Sequence, residues 1–286
     1  YKYMLKKLSI ILSKLIFFID EIIFRIFNKR FKFYLQDQLR KNSITKISFK
    51  SKKYIFFTPS NLTYWRAKTF DSKEPETLNW IQNFDQKKSV FWDIGANVGL
   101  YSIFAAKDNP ENEIIAFEPS GLNLGILQKN INLNRANNIK IFPLGLADKP
   151  NSFFEMFEST DEEGGALSSF GKNTGFDGNK INTVNNYKLF GTTVNTLIKD
   201  GILKKPNYIK IDVDGNEDLI LKNSEIILND VELKEMLVEI NEEYASQFSS
   251  IIEIMKKHNF KIKSKHISEY ALSSKFKNCY NYIFTR

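Results

Sequence analysis

Cysteine and histidine are nearly absent from this chain of 286 residues. A single cysteine, Cys279, excludes an intrachain disulfide framework and a cysteine-rich zinc site, and makes a reducing compartment the default. Two histidines, His258 and His266, are a thin supply for a histidine metal centre or a catalytic triad, and neither lies near a motif. No uncharged run approaches the roughly 20 residues of a membrane span, because Lys14, Asp20, Glu21 and Arg25 interrupt the most apolar stretch. Lys14 also falls inside what would be the apolar core of a signal peptide, and no small-residue cleavage pattern follows. These absences predict a cytoplasmic protein, with a peripheral place at the inner face of a membrane as the variant. What is abundant is positive charge: a formal +8 and a pI near 9.2 suit an acidic partner, or simply a solvated basic surface.

Three segments differ in texture. In residues 1–35, Leu5, Leu8, Leu12, Leu15, Ile19, Ile22 and Ile26 recur at three- and four-residue steps, predicting an amphipathic helix. Packing on its own domain, pairing with a second copy through residues 5–27 and lying on a membrane surface all satisfy that pattern. Residues 36–87 read as a small module, with short strands and turns around Ile47–Phe49, Tyr54–Phe57 and Tyr64–Ala67, then a helix over 77–84. From 88 to 286 strands alternate with helices: strands at 89–94, 113–118, 139–144, 207–212, 234–240, 260–265 and 279–285, helices at 100–106, 121–134, 216–229 and 246–258. This alternation implies an α/β domain with a mostly parallel sheet. Residues 157–187, rich in glycine, asparagine and charge, interrupt it as a long insertion.

The segment Val90–Ser102 reads as strand, glycine turn and helix start, with Asp93 at the strand end and Gly95 and Gly99 bracketing the turn. Such a turn is expected to aim backbone N–H groups at an anionic ligand group. Its spacing departs from the dinucleotide fingerprint and fits an adenosyl amino acid better. Asp93, Glu118, Asp212 and Glu239 each close a predicted strand, where ligands of parallel sheets sit. Glu118 follows Asp93 by the interval expected of a ribose-binding acid. Alternation in Lys210-Ile-Asp-Val-Asp-Gly places Asp212 and Asp214 together at the pocket mouth. Close carboxylates raise one another's pKa and suit a general base, or could hold a divalent cation, which is the less expected reading.

In order along the chain, Asp93-x-Gly-Ala-Asn-x-Gly-x-Tyr-Ser102, Phe117-Glu-Pro119, Gln128-Lys-Asn-Ile-Asn-Leu-Asn134, Leu146-Ala-Asp148 and Lys210-Ile-Asp-Val-Asp-Gly-x-Glu217 resemble the FkbM family of S-adenosylmethionine-dependent methyltransferases. The resemblance runs from about residue 88 to the end. It implies a Rossmann-like class I fold, a seven-stranded sheet with helices on both faces, and O-methylation of a sugar, glycan or glycolipid, with S-adenosylmethionine as donor. Carried over, it implies donor contacts from Asp93, Gly95, Ala96, Asn97, Gly99, Tyr101 and Ser102, ribose binding by Glu118 beside Pro119 and Ser120, and adenine neighbours at Ala147 and Asp148. Asp212 would lie nearest the transferred methyl as base, with Asp214 its partner and Glu239 completing an acidic rim; no metal ligand is assigned. The family usually has glutamate at position 214, and often histidine at 216 and aspartate at 195, where this chain has Asp214, Asn216 and Asn195. The insertion 157–187, including Gly165-Ala-Leu-Ser168, is the expected acceptor loop. A nucleic-acid methyltransferase and a noncatalytic binding protein are the rival readings; the first lacks the Asn/Asp-Pro-Pro-Tyr type motif after the fourth strand, so nucleic acid is not the expected partner.

Overall fold

The computed structural model describes residues 1–85 and 88–286, which form two compact units, Tyr1–Ile44 and Thr45–Arg286. The first holds helices α1 (Lys2–Phe27) and α2 (Phe31–Lys41). The single helix expected through residue 35 is broken at Asn28, whose left-handed backbone (φ 50°) caps α1 through its N–H bond to Phe24 O. Asp20 then fixes the return: buried on α1, it accepts bonds from Lys32 N at 2.8 Å and Arg30 Nη1 at 3.0 Å. Among the described residues no helix is long and apolar enough to cross a membrane.

The second unit opens with strands β1 (Ile44–Phe49) and β2 (Lys52–Phe57), paired as a two-stranded sheet, then α3 (Asn61–Lys68) and α4 (Pro75–Gln82). The stretch around Tyr64 and Trp65, expected to be extended, is helical because Ser60 and Thr63 form a reciprocal capping box that outweighs the strand preference of the two aromatics. The expected module boundary at 87 lies outside the described residues. Tyr54, Phe56, Phe70, Leu78 and Trp80 share one core with sheet residues Phe91, Ile114 and Leu237, so from Thr45 onward this segment covers a face of the main sheet.

The alternation continues with β3 (Val90–Ile94), α5 (Leu100–Asp108), β4 (Glu113–Phe117), α6 (Gly121–Asn134) and β5 (Ile139–Phe142). After β6 (Gly145–Leu146), β7 (Ser152–Glu158), β8 (Ser169–Phe170), β9 (Asn185–Thr192) and α7 (Val194–Lys199) come β10 (Tyr208–Ile211), α8 (Glu217–Lys222), α9 (Glu225–Leu228), β11 (Glu235–Asn241), α10 (Ala245–Lys257), β12 (Lys261–His266), α11 (Glu269–Leu272) and β13 (Cys279–Thr285). The main sheet has the order β12-β13-β11-β10-β3-β4-β5, with β13 antiparallel to both neighbours. Successive residues feed opposite faces: Ile114 and Ala116 join the first core, Ile115 and Phe117 a second with Trp92, Ile209, Met236 and Ile251. Burial on both sides makes this sheet the rigid element; truncating Trp92, fully buried, would cost about 3–5 kcal/mol.

The region after β5 holds structure the sequence did not reveal. Four strands in the order β6-β9-β7-β8 form a second sheet, with β7 and β9 antiparallel from Ser152↔Gly191 to Glu158↔Asn185. The expected insertion 157–187 therefore begins and ends inside strands. The expected helix 216–229 is two short ones, α8 and α9, parted at Asn223 and Ser224.

Candidate active site

Strands β3 and β10 are parallel neighbours followed in the chain by strands on opposite sides, β4 and β11, and the turns after them meet at the carboxyl edge of the sheet. Gly95 (φ 85°) is required there: a Cβ would stand 1.9 Å from the Asp212 carbonyl oxygen. The turn does not, however, offer its amides to a ligand as expected. Gly95 and Ala96 N–H both donate to Phe117 O, Asn97 N–H to Glu118 Oε2, Val98 N–H to its neighbour's Asn97 Oδ1, and Gly99 N–H to Ala96 O. The turn is spent on stitching β3 to β4 and on aiming Glu118.

Glu118 is buried, accepting from Ser120 N at 2.8 Å and Asn97 N at 2.7 Å, and burial pushes its carboxyl up to about 7. It lines an inner cavity of about 80 Å³ with Gly95, Asn97, Pro119 and Ser120 on one side and apolar Leu144, Leu146, Met156, Phe170 and Ile220 on the other. A carboxylate and apolar side chains lining one cavity offer an acceptor for hydroxyl groups and a surface for an aromatic ring. Asp93, Ala96, Gly99, Tyr101, Ser102, Ala147 and Asp148 are not among its lining residues. Asp93 and Ser102 pair with each other in the core at 2.5 Å, Tyr101 donates to Glu74 at 2.7 Å, and Asp148 is exposed.

The inner cavity shares Gly95, Asn97, Gly165, Ala166, Asp212 and Asp214 with a larger outer one of about 900 Å³. Where they join, carboxylate oxygens of Asp212, Asp214 and Glu239 lie within 4.8 Å of one another. The three are not equivalent. Burial pushes Asp212 up, but the Lys210 ammonium at 2.7 Å, with Lys73, outweighs it and holds the carboxyl below its usual range. Burial and the Asp212 charge push Asp214 up to about 6. Burial, with both aspartates beside it, pushes Glu239 well above its usual range, and Glu239 hydrogen-bonds Asp212. The three acids are thus graded: Asp212 is held below the usual carboxylate range, Glu239 well above it, and Asp214, at about 6, lies nearest neutral pH on the acidic side.

Asp214 sits in left-handed backbone (φ 59°), held by the bond from Leu167 N to its Oδ2 at 2.7 Å. Glu217 fixes the turn from behind, accepting from Val213 N at 3.1 Å and Gly215 N at 3.2 Å, with Gln247 on its other oxygen. The expected acceptor loop is strapped across the junction: Asn97 and Asn123 both donate to Gly165 O, and Arg66 Nε donates to Gly164 O. Sequence reasoning gave no role to Lys73, Glu74 and Arg66, which reach the site from a segment remote in the chain, or to Glu158, buried with Ser120, Ser168 and Tyr187 hydroxyls on its carboxylate. It also left Lys210 without a role, although the i, i+2 spacing to Asp212 in a strand was the available signal.

Comparison with known proteins agrees with this architecture. A solved structure of a candidate S-adenosylmethionine-dependent methyltransferase from Streptococcus mutans superposes with a TM-score of 0.50 at 7% identity, covering 85% of this chain and 56% of that one. The fold is that of class I methyltransferases. The family model described as Methyltransferase FkbM domain matches residues 93–262, more than half of the chain, and the chain belongs to that family. Methyltransferase sdnD from Sordaria araneosa is 27% identical over 46% of this chain and 58% of its own length; hexuronic acid methyltransferase AglP from Haloferax volcanii is 25% identical over 62% and 66%. The chain thus spans a little under two thirds of the curated relatives it matches.

Proposed function

We propose that this protein transfers the methyl group of S-adenosylmethionine to a hydroxyl oxygen of a sugar, glycan or glycolipid. The observation that carries the reading is the graded set of three carboxylates at the junction of the small inner cavity and the larger outer one. The donor, when bound, supplies a methyl on a sulfonium, an electrophile that needs no further activation. Glu118 would accept from the ribose, with Leu146, Met156 and Phe170 beside the base. On the acceptor side an alkyl hydroxyl is a weak nucleophile, and its proton must leave at or after transfer. Asp214, at about 6, is the best matched recipient; Asp212, the base expected from sequence, is held below its usual range by the Lys210 ammonium and is the weaker base of the two.

The similarity to AglP, a hexuronic acid methyltransferase, supports a saccharide as the substrate class. A cation between the carboxylates is disfavoured by Lys210, Lys73 and Arg66, which already bring positive charge to them. Calorimetric titration with S-adenosylmethionine, followed by transfer of labelled methyl to a panel of neutral and uronic sugars and glycolipids, tests the reading. Saturable donor binding and label on oxygen are expected. Absence of donor binding by folded protein, or label on RNA alone, would refute it.

A further inference from the structure

We propose that the first unit, Tyr1–Ile44, docks on an anionic lipid surface through α1. Charge is the first observation. These residues carry ten Lys and Arg against three Asp and Glu, a net +7 of the chain's formal +8, so the basic character of the protein belongs almost entirely to this unit. The proposal stands apart from the methyl-transfer reading and does not depend on it.

The second observation is which side of α1 its own partner helix uses. The Arg30 guanidinium lies 3.9 Å from the centroid of the Phe24 ring, Lys32 Nζ 5.3 Å from that of Phe17, and both residues bond Asp20. Phe17, Asp20 and Phe24 share one face of the helix, since they are three, four and seven residues apart. The stripe Leu5, Leu8, Leu12, Leu15, Ile19 and Ile22 lies on the other side and stays 40–55% exposed. With α2 committed to the polar side, nothing within the unit covers the stripe.

The third is the position of the cations. Lys7, Lys14 and Arg25, at steps of seven and eleven, line one border of the apolar stripe. Long basic side chains placed there can lay their methylenes along the acyl boundary and keep their charges among headgroup phosphates, while the leucines enter below. A helix of 26 residues with a charged face cannot span, yet lies comfortably in the interface plane. Glu21 lies on the same border, but Arg30 pairs with it at 3.0 Å, so the border is net positive and fits anionic lipid better than a second copy, which would bring the same cations against them.

Sedimentation of the full chain with sucrose-loaded vesicles tests this, comparing phosphatidylcholine alone with phosphatidylcholine containing about 30 mol% phosphatidylglycerol. About tenfold or more tighter binding to the anionic vesicles is expected, most of it lost between about 0.1 M and about 0.5 M salt. The double variant Leu12→Glu with Ile19→Glu should lose binding altogether. Lys7→Glu with Lys14→Glu should lose the preference for anionic lipid. Unchanged far-ultraviolet circular dichroism and unchanged donor titration show that each variant is folded. Equal binding to both vesicles, no binding to either, or wild-type sedimentation of the Leu12 and Ile19 variant would overturn the proposal. A dimer in light scattering that the same variant abolishes, without vesicle binding, would assign the stripe to a second copy instead.

Discussion

Replacing Asp214 by asparagine should stabilise the fold while sharply slowing turnover, and the size of the first effect follows from the site. An ordinary aspartate titrates at 3.8, and in this turn burial and the Asp212 charge push the group up to about 6. At about 1.36 kcal/mol per pH unit, that gap makes the charged side chain about 3 kcal/mol less favourable in the folded than in the unfolded chain. The sign is the reverse of the usual carboxylate case. Because the folded pKa is raised, the penalty is fully present above about 6, shrinks as pH falls, and vanishes below 3.8. Asparagine keeps the acceptor for Leu167 N but carries no charge, so Asp214→Asn should gain about 1–3 kcal/mol at neutral pH, after relaxation, and little near pH 4. Urea unfolding at the two pH values reads the difference directly. Methyl transfer should fall by roughly 10²–10⁴-fold, the usual worth of a positioned base. In the wild type, kcat/KM should rise with pH through about 6 and level off. A variant no more stable than wild type at neutral pH, or equally stabilised at both pH values, would refute the electrostatic account. Retained turnover would refute Asp214 as the proton acceptor.

Gly95→Ala must push the Asp212 carbonyl away and adopt φ 85°, so it should cost about 2–4 kcal/mol and weaken donor binding, seen together in thermal melts and calorimetry. Glu118→Ala strands the Asn97 and Ser120 N–H groups as well as removing the ribose acceptor; donor affinity should drop by about a hundredfold, with a change in acceptor KM much smaller than that. Methyl transfer should survive prolonged treatment with EDTA, because Lys210 and Lys73 already oppose the charge on Asp212; loss of activity restored by a divalent metal would instead make the carboxylate trio a metal site.

The sequence by itself determined the αβ alternation, the two glycine turns and the places of Glu118 and Asp212 directly after β4 and β10, because each depends on local periodicity and on backbone geometry that few residues tolerate; Asp93 and Glu239, expected to close their strands, lie one and two residues inside the ends of β3 and β11. It marked α1 as amphipathic for the same reason. Tertiary structure alone decided what those residues do. The amides of the Gly95 turn go to Phe117 O and Glu118 rather than outward, since β4 lies close enough to take them. Arg66, Lys73 and Glu74 reach the carboxylates across long sequence separations, and their charges, with that of Lys210, spread three similar acids from below to well above the usual carboxylate range. The second sheet was not legible because Phe153 and Phe190 stand on the exposed side of β7 and β9, which blurs the apolar–polar alternation that their burial follows. Periodicity is a property of neighbours along the chain, whereas a pKa is set by whichever groups the fold brings within a few ångströms.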